Sequence, residues 1–301
     1  MSTTVGPTQE VFVPPTLPDR IAGIAAGLWA SAKRRPLGAA GAIAILAVAF
    51  VAITADVIAP FDFAQPVPRD RLQGPSLDHF FGTDDLGRDI FSRVLFGTRL
   101  SLLVGIGAVG AGIIHGALWG LASGYIGGWF DTVVQRIMDS IMSVPMLLMA
   151  MVVVTVLGSG IQNVILALGF VLTPVAARVV RNEVMSAKQN MYVDAAHAVG
   201  ARGMRIAFRH ILPNITAPIL VLITINLGQA IIAEAMLSFL GLGPNEPSWG
   251  QMLAGAGRQY MVQAPWIALF PGLAITTTVL AFNLLGDALR DEFDPRLRDG
   301  R

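Results

Sequence analysis

The chain has no cysteine and few charged residues, and both absences narrow what it can be. Without cysteine it can form neither a disulfide framework nor a thiolate metal site. Only 14% of its 301 residues are charged, whereas 54% are hydrophobic and the mean hydropathy is +0.63. A soluble domain of average composition carries about 25% charged residues. The composition therefore predicts an integral membrane protein.

Lysine is scarce as well, and this excludes an ATP site of the common kind. The lysine of a phosphate-binding loop follows a glycine, whereas Lys33 and Lys188 each follow an alanine. The chain also lacks the GxSxG and HExxH motifs of hydrolases and zinc proteases. We therefore predict that the chain is not an enzyme and binds no cofactor or metal itself.

Apolar segments long enough to cross a membrane make up most of the chain. Six are expected, at about residues 37–59, 99–123, 131–157, 161–180, 213–236 and 266–289. Pro145 is expected to kink the third segment. Small residues in the second are expected to allow close helix contact, namely Gly105, Gly107, Gly110, Gly112 and Gly116. The predicted fold class is all-α, with six transmembrane helices.

The two ends of the chain are polar and differ from the spans. Residues 1–35 are expected to form a tail with an amphipathic helix in the membrane interface, ending in a basic cluster. An extension of the first span is the alternative, and Pro36 favours a break between the two. Residues 290–301 form a second charged tail.

Lysine and arginine are unevenly distributed between the two sides of this topology. With six spans both termini share one side, and 15 of the 21 basic residues lie on it. Cytoplasmic loops carry the excess of basic residues. We therefore expect both termini, and the polar segment between the fourth and fifth spans, to be cytoplasmic.

That polar segment, Tyr192 to Asn214, has a regular pattern of small and turn-forming residues. Ala195 and Ala196 would keep one helix face small, so that another surface can approach it. Gly200 stands where a short helix would end in a left-handed turn, and Pro213 suits the first turn of the next helix. The pattern predicts a compact knob of about two helical turns.

The same segment resembles the EAA loop in the membrane-spanning subunits of bacterial ABC importers. Its RHILPN end is similar to the peptide and nickel branch. Asp194 stands where the family pattern has glutamate, which keeps the charge but shortens the side chain. The resemblance implies that the loop, about 181–212, is a coupling helix docked in a partner ATPase, and implies these coupling residues: Tyr192, Asp194, Ala195, Ala196, Gly200, Arg209 and Pro213. Burial of Met191, Tyr192 and Val193 would contribute to the docking.

Two further stretches resemble the same branch. One is HFFGTDDLGRD, from His79 to Asp89, and the other comprises FLGLG and PSWG, between 239 and 250. The acids and histidine of the first stretch could suggest a metal site. Arg88 and Arg93 lie among them, however, and offer ion-pair partners instead.

The resemblance covers nearly the whole chain and implies the type I ABC importer (MetI-like) permease fold. It divides the chain into a cytoplasmic tail (1–35), a first span with an extracytoplasmic loop (36–97), a five-helix core (98–289) and a second tail (290–301). It implies an inner-membrane location, a second, related permease, two ATPases that bind ATP and magnesium, and an external binding protein. Di- or oligopeptides are the expected substrates, with nickel chelates and opines as alternatives. Lipid is expected around the spans, and nucleic acid is not an expected partner.

Polar residues inside the spans are candidates for a translocation path. Asn226, Gln229 and Glu234 lie in the fifth span, where either a path lining or helix–helix hydrogen bonds would explain them. For Asp139 the second interpretation is preferred, and His115 is expected to be packed. A secondary transporter remains the rival class, but inverted repeats and broken midplane helices are not evident.

Overall fold

The computed structural model of the chain describes residues 33, 35–244 and 246–293, and these are almost entirely helical. No strand forms among them, apart from an isolated bridge between Thr83 and Asp89. The predicted interfacial helix and the end of the C-terminal tail lie outside the described residues. In chain order, the helices are α1 (Pro36–Ile58), α2 (Ile90–Ile126), α3 (Gly128–Met142), α4 (Met146–Leu157), α5 (Ile161–Ala187), α6 (Met191–Ala198), α7 (Gly203–Phe239), α8 (Trp249–Ala254), α9 (Ala256–Gln259) and α10 (Trp266–Phe293).

Five helices, α1, α2, α5, α7 and α10, are long and apolar enough to cross a membrane. The third predicted span is not one kinked helix: α3 and α4 meet at 89° and make a sixth candidate only as a pair. Proline disfavours a helical conformation in the residue before it, so the helix stops before Pro145, which is extended (ψ 134°). With 12 residues, α4 is about 18 Å long and too short to cross alone.

Three predicted boundaries were wrong because helices continue past the apolar segments. α2 begins at Ile90 rather than near 99, since Asp89 caps it by accepting a hydrogen bond from the Ser92 amide (2.7 Å). Arg99 is accommodated inside this helix by pairing with Asp56 of α1 (2.8 Å). α5 likewise runs on to Ala187 instead of ending at 180.

α7 begins at Gly203, ten residues before the predicted start of the fifth span at Pro213. Proline within a helix lacks the backbone donor and clashes with the carbonyl four residues back. The chain avoids this with a π turn, Ala207–Ile211, in which the Leu212 amide donates to the Ala207 carbonyl five residues earlier. A 3₁₀ turn, Leu212–Ile215, follows, and Pro213 lies in its first positions.

α2 and α5 pack through a column of glycines on α2, which contains Gly112 and Gly116 of the predicted set and continues beyond it. Gly112, Gly116, Gly120 and Gly124 recur every four residues and face α5. A Cβ added to Gly116 would lie 2.4 Å from Ala176 Cβ, so the two backbones are as close as they can be. Gly110 differs, because its Cβ would meet nothing within 4 Å.

Residues 59–89 fold over the start of α2, and two tryptophans, one buried and one half-buried, bond to the helix and to this loop. Trp249 Nε1 donates to the Val94 carbonyl (3.0 Å), and Trp266 Nε1 donates to the Thr83 carbonyl (3.1 Å). Asp84 pairs with Arg88 (2.7 Å) and lies 3.7 Å from Arg93, in agreement with the ion-pair interpretation. In the described part of the chain no three His, Asp or Glu side chains are grouped as metal ligands.

Candidate functional site

α6 is a helix of eight residues that packs against its own chain along one face. Val193 and Ala196 are buried, 3% and 7% exposed, in a cluster with Val184 and Ile206. The prediction that Val193 faces a partner was therefore wrong. The surface that approaches Ala196 belongs to the chain's own α7, whereas Ala195 is exposed.

Gly200 ends α6 in the left-handed conformation that its position predicts, with φ 81°. The Gly200 amide donates to the His197 carbonyl (2.9 Å) and the Ala201 amide donates to the Ala196 carbonyl (3.0 Å). These two bonds make a Schellman motif. The chain therefore leaves α6 along a fixed path into α7.

The base of α6 is attached to the end of α2. Lys188 Nζ donates to the Tyr125 carbonyl at 2.8 Å and lies 5.4 Å from the centre of the Tyr125 ring. The lysine charge suits this place because the carbonyl end of a helix is negative. Tyr125 also contacts the start of α7, since a Cβ on Gly203 would be 3.2 Å from its ring. The knob is thus joined to three helices of the membrane part.

The outer surface of this knob is unusually apolar. Met191 is 86% exposed and Tyr192 is 37% exposed on α6. The sequence analysis missed Val199, Met204 and Phe208, which are exposed by 84%, 73% and 44%. These large apolar residues stand among arginines in a segment that is too polar to enter the membrane, and this pattern could have indicated an exposed contact surface.

The other predicted coupling residues lie around this apolar surface. Asp194 is exposed in the first turn of α6, where a negative charge is favourable. Arg209 is exposed in the π turn and Pro213 is exposed in the 3₁₀ turn after it. The structure therefore places all of them except Ala196 at the surface of one continuous segment.

The predicted path residues of α7 are not brought together on one surface. Asn226 is buried and donates to the Leu222 carbonyl of its own helix (2.8 Å), whereas Gln229 is exposed. Glu234 is 0% exposed. It accepts hydrogen bonds from Ser238 (2.7 Å) and from Ser101 of α2 (3.2 Å). The contacts of Glu234 therefore join α7 to α2.

Two further polar residues of the spans have clear surroundings. Asp139 of α3 forms an ion pair with Arg178 of α5, in agreement with the helix–helix interpretation. His115 is not packed as expected: it is exposed and lines an apolar cavity of about 560 Å³ between α2, α3, α4 and α5. Its Nδ1 lies 2.8 Å from the Ala111 carbonyl.

Comparison with known proteins identifies the architecture. A family model described as the binding-protein-dependent transport system inner membrane component matches residues 116–299, more than half of the chain. The chain belongs to this family. The permease is thus a multi-pass component of the inner membrane, and membership implies that partners supply ATP hydrolysis and substrate binding.

Relatives match the permease over nearly its whole length. It is 44% identical over 268 residues, 88% of each chain, to the dipeptide transport system permease protein DppC of Alkalihalophilus pseudofirmus. It is 45% identical to the glutathione transport system permease protein GsiD of Pectobacterium atrosepticum, over 90% of each chain. Its identity to the protein of that name from Escherichia coli is 46%, over 95% of each chain. The resemblance to the peptide and nickel branch is confirmed.

Proposed function

We propose that the permease moves di- or oligopeptides into the cell and that partner ATPases drive it through α6. The relatives named for dipeptide and glutathione transport support a peptide substrate, because glutathione is itself a small peptide. The observation that carries the proposal is the knob around α6, which is fixed to α2, α5 and α7 and has an apolar outer surface. A rigid knob transmits a displacement, whereas a mobile loop would absorb it.

The size of the exposed surface is sufficient for this role. Full burial of a large apolar side chain contributes about 1.5–3 kcal/mol, and Met191, Val199 and Met204 are each at least 73% exposed. Shifting a two-state transporter from 1:99 to 99:1 needs roughly 5.5 kcal/mol of differential interaction. Three such side chains would supply this amount if they were buried in one state and exposed in the other, and if association costs were met by the rest of the interface.

The remaining partners and the orientation complete the proposal. Two ATPases bind ATP and magnesium, a related second permease completes the path, and an extracytoplasmic binding protein delivers the peptide. The permease itself carries no enzymatic activity and binds no nucleic acid. The excess of basic residues on one side favours a cytoplasmic location for both termini and α6. Ile53 and Val57 of α1, 78% and 87% exposed, suit contact with lipid.

Within the proposed five-helix core, α7 contributes to the translocation path. Gln229 is the candidate that the geometry supports best, because it is the exposed polar residue of the three on this helix. Asn226 and Glu234 serve the path indirectly, through the shape of α7 and its contact with α2.

Uptake of a labelled dipeptide by intact cells tests the proposal. Cells in which the gene is deleted should lose uptake, and the restored gene should return it. Depleting ATP while the membrane potential is maintained should abolish the restored uptake. Uptake that survives ATP depletion would favour an ion-driven transporter, and equal uptake with and without the gene would exclude this dipeptide as a substrate.

A further inference from the structure

A polar cavity of about 450 Å³ lies at the start of α2, within the size range of small-molecule sites. Its walls are residues 63–64 and 84–93 together with the segment that follows α7, and they include Asp85, Arg93 and Gln251. α2 has 37 residues and is about 55 Å long. Since α6 is attached to the other end of α2, the cavity and the knob lie at opposite ends of the permease.

Arg93 is the unusual residue of this cavity. It is only 7% exposed, and it lies in the first turn of α2, where the helix dipole disfavours a cation. Nη1 donates to the Phe63 carbonyl at 3.1 Å, while Nε is 3.7 Å from Asp84 Oδ2, beyond hydrogen-bond distance. No described residue accepts a hydrogen bond from Nη2. The Nη2 edge of Arg93, which lines the cavity, suits an anionic ligand.

Asp84 accepts no hydrogen bond from Arg93, because both of its carboxylate oxygens already accept hydrogen bonds from other groups. Oδ1 accepts from the Leu86 and Arg88 amides, both at 2.9 Å, and Oδ2 accepts from Arg88 Nε at 2.7 Å. Asp85 also lines the cavity, is half-buried and makes no ion pair with any described residue. The cavity thus contains an incompletely paired cation and an incompletely paired anion.

We propose that this cavity binds the peptide substrate directly, with Arg93 holding its C-terminal carboxylate and Asp85 facing its N-terminal ammonium. The inference rests on the proposed peptide substrate and adds a recognition site on the permease itself. A free peptide is a zwitterion of the size that the cavity admits. A bidentate guanidinium–carboxylate contact would supply the hydrogen bonds that Arg93 lacks.

Direct binding to the assembled transporter tests the site. The permease with its second permease and ATPases, in lipid nanodiscs and without the binding protein, is titrated by calorimetry with alanyl-alanine and with its C-terminal amide. The free acid should bind at least about tenfold more tightly than the amide. Arg93→Gln should abolish this difference. Arg71→Gln, which changes an exposed arginine of the loop before α2 that does not line the cavity, should preserve it.

A second variant separates recognition from folding, because Arg93 also supports the Phe63 carbonyl. Asp85→Asn loses no hydrogen bond to a described residue, and it should weaken alanyl-alanine about tenfold without weakening the N-acetylated dipeptide. Equal affinity of wild type for acid and amide would overturn the proposal, as would unchanged discrimination in Arg93→Gln.

The possible outcomes also separate this site from the proposed function. A wild-type complex that binds no dipeptide, combined with weaker capture of the binding protein by Arg93→Gln, would assign the cavity to a carboxylate of that protein and overturn the proposal. If intact cells take up the dipeptide but the complex does not distinguish acid from amide, the proposed binding site is refuted and the proposed function stands. Absence of uptake would contradict the proposed function itself.

Discussion

At the scale of single residues, Gly200 controls how the chain leaves α6. Its backbone is left-handed (φ 81°), and an added Cβ would meet no atom within 4 Å. A substitution there acts through backbone strain alone. We expect Gly200→Val to cost roughly 1–2 kcal/mol in the turn and to lower ATP-driven dipeptide uptake while the amount of permease in the membrane stays unchanged. Labelled uptake and an immunoblot of membranes measure the two quantities.

Gly110→Val is the matched control for this substitution. Gly110 also has open space around its Cβ position, but its backbone is not left-handed. Its uptake should remain near that of wild type, and Gly200→Asn should fall between the two because asparagine tolerates the left-handed conformation. Wild-type uptake by Gly200→Val would refute the role of the turn.

Glu234 is the residue whose replacement should affect stability most directly. It is fully buried and accepts hydrogen bonds from Ser101 and Ser238. Glu234→Leu leaves both hydroxyls without this acceptor, and we expect a loss of about 1–3 kcal/mol and a lower Tm of the purified complex. Gln229→Leu, on the exposed side of the same helix, should leave Tm unchanged. An equal Tm for both variants would contradict the structural role of Glu234.

At the scale of helices, the glycine column of α2 predicts which added methyl groups disturb the contact with α5. A Cβ on Gly120 would lie 2.4 Å from the Ala177 carbonyl oxygen and 3.0 Å from the Arg181 amide. A backbone atom cannot rotate away as a side chain can, so the added methyl group of Gly120→Ala should push the two helices apart. We expect the free energy of unfolding to fall by about 1–3 kcal/mol. Thermal unfolding in detergent measures this loss. Gly110→Ala is expected to leave unfolding unchanged, and a similar loss there would show that helix contact is not the cause.

Helix boundaries show where sequence reasoning reached its limit. Apolar length located the five long helices and the segment that forms the bent pair α3 and α4, because a membrane demands about 20 apolar residues. It did not locate the start of α2 or of α7, which the cap at Asp89 and the π turn at Ala207 decide. Both depend on local hydrogen bonds within polar sequence. A kink at Pro145 was predicted, but the helix breaks there, and the angle of 89° depends on how α3 and α4 pack.

At the scale of the whole molecule, the absence of cysteine allows the topology to be tested directly. Leu77 of the loop before α2 is 92% exposed and Val199 after α6 is 84% exposed. We expect a single cysteine at position 77 to react with a membrane-impermeant maleimide in intact spheroplasts. A single cysteine at position 199 should react only after permeabilisation. The reverse pattern would invert the topology.

The local geometry at the proposed site residues was predictable where a backbone pattern fixed it and not where packing decided it. The Gly200 turn followed from the residue type alone, and the structure contains it. The burial of Val193 and Ala196 depends on α7 folding back against α6, which no periodicity within eight residues reveals. The cavity around Arg93 likewise requires segments that are some 150 residues apart in the sequence.

The π turn in α7 sets the rotational alignment of the two parts of the permease. A π turn holds about one residue more than an α turn, so the helix before Ala207 is offset by roughly 100° from the helix after Ile211. Removing one residue from this turn would rotate the knob by about that angle relative to the rest of α7. Chain length in this one turn therefore determines which neighbour the apolar surface faces.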